Sequence, residues 1–264
     1  MRNLNAYFKS SLLREVDVPA CVAYVEARRT GQVKAVLRKH STRIGADGTI
    51  RRELNVLGTA ARFTLKRRFI KPEDMPSLEV PAEPPGRIHH LTRDELKRVF
   101  KSATGSLRDF ISIAYYTGAR RAAVEGLRWD QVDLEHGHIN FLPADATPLQ
   151  RKSRKRRPIV PIDPQLRPTL ERLRIRKNDW DFVLPPIVYA DAFRRHMTAL
   201  GMPGKRYPHI LRHTRATHLL QDGISIYNVA RLLGDNPMTV ERVYGHHSSE
   251  FLGAAIGDKS PSLG

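Results

Sequence analysis

"HILRHTRATHLLQDGISIYNVARLLGDNPMTVERVYGHH" (209–247) is the stretch on which the reading of the chain turns. His209 and Arg212 stand three residues apart, a spacing that puts both side chains on one face of a helix. Leu211, Ala216, Leu219 and Leu220 make a different, apolar stripe. The pattern predicts a helix over 208–222 that docks through its leucines and aims His209 and Arg212 outward together. Gly223 and Gly234 fall where C-terminal caps belong, closing that helix and a second one over 225–233. A third helix over 237–245 carries Tyr244 near its end.

The charge balance says what such a helix could face. Of 264 residues, 45 are Lys or Arg and 27 are Asp or Glu, a formal net charge of +18. That surplus points to a polyanionic partner, chiefly nucleic acid. It is also clustered: "RKSRKRR" (151–157) has six cations in seven residues, and "LKRRFIK" (65–71) is a second patch containing Lys66, Arg67 and Arg68. An anionic membrane is a weaker partner, because no basic amphipathic helix with an aromatic face stands out. No apolar run reaches the ~18 residues of a membrane span. The first residues, "MRNLNAYFKSSLL", lack the apolar core of a signal peptide. The lone Cys21 cannot form an internal disulfide, and no Cys/His zinc pattern or convincing carboxylate pair for a metal is present. A cytoplasmic protein without metal or cofactor is expected.

Three prolines and a glycine in "VPAEPPGRIHH" (80–90) mark a linker between two helical regions. Before it, 17–29 and 49–69 read as helices, the second with Leu54, Leu57, Ala61 and Leu65 near helical period. After it, Thr92 followed three residues later by Glu95 is a capping box that opens a helix. "LRDFISIAYYTGARRAAVEGLRW" (107–129) reads as a buried helix, a break at Gly118 and a second helix. "HINFL" (138–142) and "RPIVPI" (157–162) are the only good strand signals, joined by a loop that ends in the basic cluster. Helices are expected again at 164–175 and 189–200. The fold class is therefore mainly α with a small antiparallel β-sheet, in two domains, 1–85 and 88–264.

Three separated segments offer groups suited to a phosphodiester. Arg120 starts a helix in "TGARR", His209 and Arg212 open another, and Tyr244 lies near the end of the last. Two arginines can clamp the non-bridging oxygens of one phosphate with forked donors and charge that does not titrate. A tyrosine hydroxyl can attack phosphorus and form a covalent phosphotyrosine. A histidine moves protons near neutral pH, and a lysine of the basic hairpin can protonate the leaving oxygen. Taken singly, each feature has an ordinary explanation: an exposed His–Arg pair, a half-buried tyrosine, a solvated basic run. His213 reads as a core hydrogen-bonder and His218 as packing. Their joint order and spacing are hard to obtain by chance.

On these residues the chain resembles a tyrosine recombinase of the phage-integrase type, from about residue 10 to 250. The resemblance is strongest over 117–128, within "TGARRAAVEGLRW", and over 208–247. The resemblance implies a site-specific recombinase that cleaves and rejoins DNA strands through a 3′-phosphotyrosyl intermediate, without metal or ATP. Tyr244 would be the nucleophile, Arg120 and Arg212 the clamp, His209 the proton-transfer partner and Lys152 the general acid, with Lys155 as the second candidate lysine. Arg151, Arg154, Arg156, Arg157, Lys66, Arg67 and Arg68 would contact DNA. Two positions depart from the family pattern. Asp235 stands where a histidine is usual, and must turn away to pair with an arginine, or be protonated, or yield its role to His246 or His213. Ala123 replaces a common glutamate, with Glu125 nearby.

The resemblance further implies a helical, SAM-like core-binding domain over 1–85 and a catalytic domain over 88–264, clamping duplex DNA at its recombination sites. One earlier helix of the core-binding domain finds no counterpart. A homotetramer on DNA is implied, with accessory DNA-bending proteins as possible partners and 250–264 packing on a neighbouring subunit. The alternatives are a catalytically decayed integrase that only binds DNA, or a type IB topoisomerase-like enzyme.

Overall fold

The structure is a computed structural model, described here for residues 2–33, 44–83, 89–143, 146–147, 158–176 and 181–245. The chain forms two compact units, 1–86 and 87–264. Among the described residues no helix is long and apolar enough to cross a membrane.

Among its described residues the first unit packs three α-helices, α1 (Arg2–Phe8), α2 (Val18–Thr30) and α3 (Asp47–Lys66). Asp17 caps α2 by accepting from the Ala20 amide, and Gly31 closes it in the left-handed region. Helix α3 buries Ile50 and Leu54 against Leu4, Val16, Cys21 and Tyr24, and Ala61 is buried two turns further on. Under this apolar layer lies a polar knot. Arg28, 1 % exposed, donates from Nε and Nη2 to Glu53 at 3.0 and 3.1 Å. The Tyr24 hydroxyl and the Asn3 amide donate to the same carboxylate at 2.7 and 2.6 Å. Burial pushes the Glu53 carboxyl up, but the bonds from Arg28, Tyr24 and Asn3 outweigh it and hold the group below its usual range. Asn3 thereby pins α1, a helix whose short sequence carried no periodic signal. Lys66, Arg67 and Arg68 are exposed at the C-terminal end of α3, beside the exposed Phe63 and Phe69.

In the second unit Thr92 and Glu95 form the expected capping box at the start of α4 (Arg93–Ser102), each side chain bonding the other's backbone amide at 3.2 and 2.8 Å. Helices α5 (Gly105–Thr117) and α6 (Arg121–Glu125) are separated at Gly118, as the sequence predicts. Three strands follow in the order β1 (Val132–Asp133), β2 (His138–Asn140), β3 (Ile159–Pro161), antiparallel throughout. Ile139 pairs with Val132 on one side and Val160 on the other, and both Ile139 and Val160 are fully buried. The β2 and β3 positions match the two anticipated strands. β1 is an addition, too short at two residues to show an alternating pattern. Among the described residues five further α-helices follow: α7 (Arg167–Ile175), α8 (Tyr189–Ala199), α9 (His209–Gln221), α10 (Ile226–Leu233) and α11 (Pro237–Tyr244).

The main core gathers Phe110, Ile113, Leu127, Ile139, Leu170, Phe193 and Leu211 around α5 and the sheet. A second cluster, with Ala216, Leu220, Val229, Leu233, Val240 and Tyr244, joins α9, α10 and α11. Helix α9 also holds the start of the unit. The Leu91 amide donates to Thr214 Oγ1 at 2.9 Å, and His218 bridges the Leu91 carbonyl and the Tyr115 hydroxyl at 3.0 Å each. His218 is thus a buried hydrogen-bonder, as expected of a packing residue.

Candidate active site

The site is assembled around Arg212, and here one sequence expectation fails. Arg212 does not point outward; it is 3 % exposed. Its Nη1 donates to the carbonyls of Gly118 and Leu233 at 2.8 and 2.9 Å. Those carbonyls lie at the C-terminal ends of α5 and α10, where the helix dipole favours a cation and the last carbonyls lack helical partners. Helical spacing alone sends a charged side chain to solvent; here two helix ends distant in sequence satisfy the guanidinium instead. Burial lowers the Arg212 pKa and the Asp235 carboxylate raises it, but a guanidinium stays charged in either case.

Gly118 makes this possible. It caps α5 at φ 62°, and a Cβ there would lie 2.6 Å from Leu233 Cδ2. Only glycine both takes the left-handed turn and lets Leu233 approach. The turn delivers Arg120 to the N-cap of α6, its side chain about one-third exposed at 32 %. Glu125, near the position left by Ala123, pairs with Arg121 at 3.0 Å and not with Arg120.

Gly234 ends α10 at φ 64°, and the next residue is Asp235. Its carboxylate bridges the two arginines. Arg120 Nη2 donates to Oδ1 at 2.5 Å, and Arg212 Nη2 donates to Oδ2. Of the alternatives open for Asp235, pairing with arginine is the one found, and it pairs with both.

Tyr244 comes from the last turn of α11 and is 4 % exposed. His213 Nδ1 lies 2.6 Å from its hydroxyl. Burial pushes the phenol up to about 12; Arg212 and Arg120 pull against this, while Asp235 adds to it. Burial, with the Arg212 charge and the neighbouring His209 behind it, holds His213 down at about 4. His209, at the first position of α9, keeps an exposed edge and meets the His213 ring edge-to-face at 4.5 Å between centroids. Desolvation and the charges of Arg212 and Arg120 lower its pKa as well. Both imidazoles are therefore neutral at pH 7.

The fold thus brings Arg120, His209, Arg212, Asp235 and Tyr244 together, from segments more than a hundred residues apart. It adds His213, a core hydrogen-bonder as the sequence favours, whose partner is the tyrosine. The adjacency of His213 to Arg212 was visible; the contact with α11 is tertiary and was not. Lys152, Lys155, Arg151, Arg154, Arg156, Arg157 and His246 lie outside the described residues, as does 250–264. Among the described residues no group of three side chains could hold a metal ion.

Comparison with known proteins gives the family. A sequence model described as the phage integrase family matches residues 89–250. The chain is 27% identical over 252 residues to a tyrosine recombinase XerD from Lacticaseibacillus casei, covering 88% of this chain and 83% of that protein. Among solved structures, the Tn1549 transposon integrase in complex with circular intermediate DNA has a TM-score of 0.70 at 16% identity, covering 98% of this chain and 92% of that one. The XerH site-specific recombinase bound to palindromic difH substrate also gives 0.70, at 16% identity, over 96% of this chain and 76% of that one. With a matching family model over residues 89–250, more than half of its length, the chain belongs to the phage integrase family of site-specific tyrosine recombinases.

Proposed function

We propose that the protein cleaves and rejoins DNA at recombination sites, with Tyr244 as the nucleophile. The Tyr244 hydroxyl attacks the scissile phosphorus, a 3′-phosphotyrosyl bond forms, and the bond to the 5′-oxygen breaks. Arg120 and Arg212 hold the non-bridging oxygens, whose charge grows in the pentacoordinate transition state. Lys152 protonates the leaving 5′-oxygen and His209 assists proton transfer. A 5′-hydroxyl from a partner strand then reverses the step. The phosphodiester energy is kept in the phosphotyrosine, so rejoining needs no ATP.

The observation that carries this reading is the convergence of two guanidiniums on one anion beside a buried tyrosine. The Asp235 carboxylate stands in for the phosphate's two non-bridging oxygens, and a phosphate must displace it. Basic residues in both units, Lys66, Arg67 and Arg68 in the first and the 151–157 cluster in the second, supply phosphate contacts, so binding weakens steeply with salt. On this reading residues 1–85 are the core-binding domain and 88–264 the catalytic domain. The working form is a homotetramer on two DNA sites in the cytoplasm, with DNA-bending proteins as accessory partners.

The test is covalent capture. The protein is mixed with a randomised pool of nicked duplexes without metal, quenched in SDS, and examined for DNA-linked protein. An adduct that Tyr244→Phe abolishes supports the reading. Salt-sensitive binding with no adduct at any duplex overturns it in favour of a protein that holds DNA without cutting.

A further inference from the structure

Deprotonation of the nucleophile is unassigned by the clamp. Arg120 and Arg212 carry only donors, and Asp235 is committed to both of them. Tyr244 is 4 % exposed, and among the described residues the group within hydrogen-bond reach of its hydroxyl is His213 Nδ1 at 2.6 Å. His209, the histidine expected to move protons, meets His213 ring to ring and makes no described bond to the tyrosine.

We infer that His213 is the general base of the cleavage step, accepting the Tyr244 proton on Nδ1 as the phenolic oxygen bonds to phosphorus. The inference rests on the strand-cleavage reading above. The balance is simple. One proton passes from Oη to Nδ1, the Oη–P bond forms, and the P–O5′ bond breaks. In rejoining, the proton returns from Nδ1 to the departing phenol.

The surroundings make this base conditional. The groups facing His213 are His209 and Arg212 on its own helix, Tyr244 from α11, and Asp235 from the turn between α10 and α11. Arg120, paired with Asp235, sits behind them. In the free protein the phenol lies at about 12 and the imidazole at about 4, so the proton stays on Tyr244. A phosphate that gains a second negative charge in the transition state favours an imidazolium beside it. The tyrosine therefore ionises only against a bound phosphodiester.

Two measurements test this. The first needs no DNA: nitrogen NMR of the histidines in the full chain. The inference requires a neutral His213 with its proton on Nε2 and a bare Nδ1. A proton on Nδ1 makes His213 a donor to the tyrosine and overturns the inference, whatever the DNA results. The second uses a nicked duplex captured by the wild-type protein from the randomised pool. His213→Asn, which keeps a polar atom near Oη, and His213→Ala are compared in single-turnover cleavage. Both should be about 100-fold slower at pH 7, with duplex affinity within about threefold of wild type. Their rates should climb about tenfold per pH unit from 7 to 9, as ionised phenol replaces the missing base, while wild type stays flat. A merely structural role predicts a pH-independent deficit, and that result, or variant rates within threefold of wild type, overturns the inference. If wild type captures no duplex, the strand-cleavage reading falls and the inference with it, whereas wild-type capture with unaffected variants sinks the inference alone.

Discussion

Replacing Asp235 by asparagine should move catalysis and stability in opposite directions. The Asp235 side chain is 22 % exposed and forms ion pairs with Arg120 and with Arg212, itself 3 % exposed at the side chain. A phosphodiester seated between the same arginines brings its own negative charge within roughly 4 Å of the carboxylate. At an effective dielectric constant of about 20 the repulsion is ~4 kcal/mol, an upper bound because the side chain can swing toward solvent. Half of it, about 2 kcal/mol, corresponds to roughly thirtyfold in anion affinity or cleavage rate. The opposite term is structural. Asparagine leaves Arg212 buried with two backbone carbonyls and no counter-charge. Breaking a buried pair costs about 3 kcal/mol, equivalent to a melting point lower by about 6–12 °C in a domain of this size. The assay is thermal melting of the full chain against inorganic sulfate, followed by single-turnover cleavage of a captured duplex. Wild type should hardly respond to sulfate. Asp235→Asn should melt lower without it and gain more with it, since a ligand stabilises by RT ln(1 + [L]/Kd). Asp235→His should cleave faster than wild type. A variant that melts lower, ignores sulfate and cleaves more slowly would refute the argument and make the carboxylate part of the working clamp.

Other expectations follow from single contacts. Gly118→Ala should cost about 3 kcal/mol in chemical denaturation, from a left-handed φ of 62° and a Cβ 2.6 Å from Leu233 Cδ2. Coupling it with Leu233→Ala should recover part of that loss, and no recovery would mean the clash is not the cause. His218, 2 % exposed, is held down at about 4 mainly by burial, against 6.5 unfolded. Its stabilising contribution is complete above pH 6.5 and is lost as pH falls through about 4, on the order of 3 kcal/mol. Denaturation at pH 7 and 4.5 should show a shallower acid decline for His218→Gln; parallel declines would remove the histidine from the account. Glu53→Gln should destabilise by about 3 kcal/mol, because Arg28 would stay buried without its counter-charge. A neutral result in denaturant would show that Tyr24 and Asn3 carry the knot.

Much of this architecture is legible in the sequence. The capping box at Thr92, the break at Gly118 and the two glycine-terminated helices are local signals, written within a few residues of where they act. Tertiary satisfaction was not legible. Arg212 reads as a surface cation until the carbonyls of Gly118 and Leu233 are brought to it. His213 reads as a core residue until α11 swings Tyr244 against it. Strand β1 and helix α1 are too short to show a period, and each exists because a neighbour supplies partners: Ile139 for the strand, Glu53 for the helix. Asp235 is the instructive case. The sequence marks it as a departure, but only the fold shows that one carboxylate occupies both arginines.

The double anchoring of Arg212 has a consequence for when the protein becomes dangerous to DNA. Its guanidinium is aimed only if the ends of α5 and α10 have met, and they meet only through the space left at Gly118. The same closure presents Asp235 to Arg120 and sets α11 beside α9. A half-folded chain holds every reactive group and none of their arrangement. On the strand-cleavage reading, cutting power is a property of the finished tertiary structure, and a chain emerging during synthesis stays harmless to the DNA around it until α11 has docked.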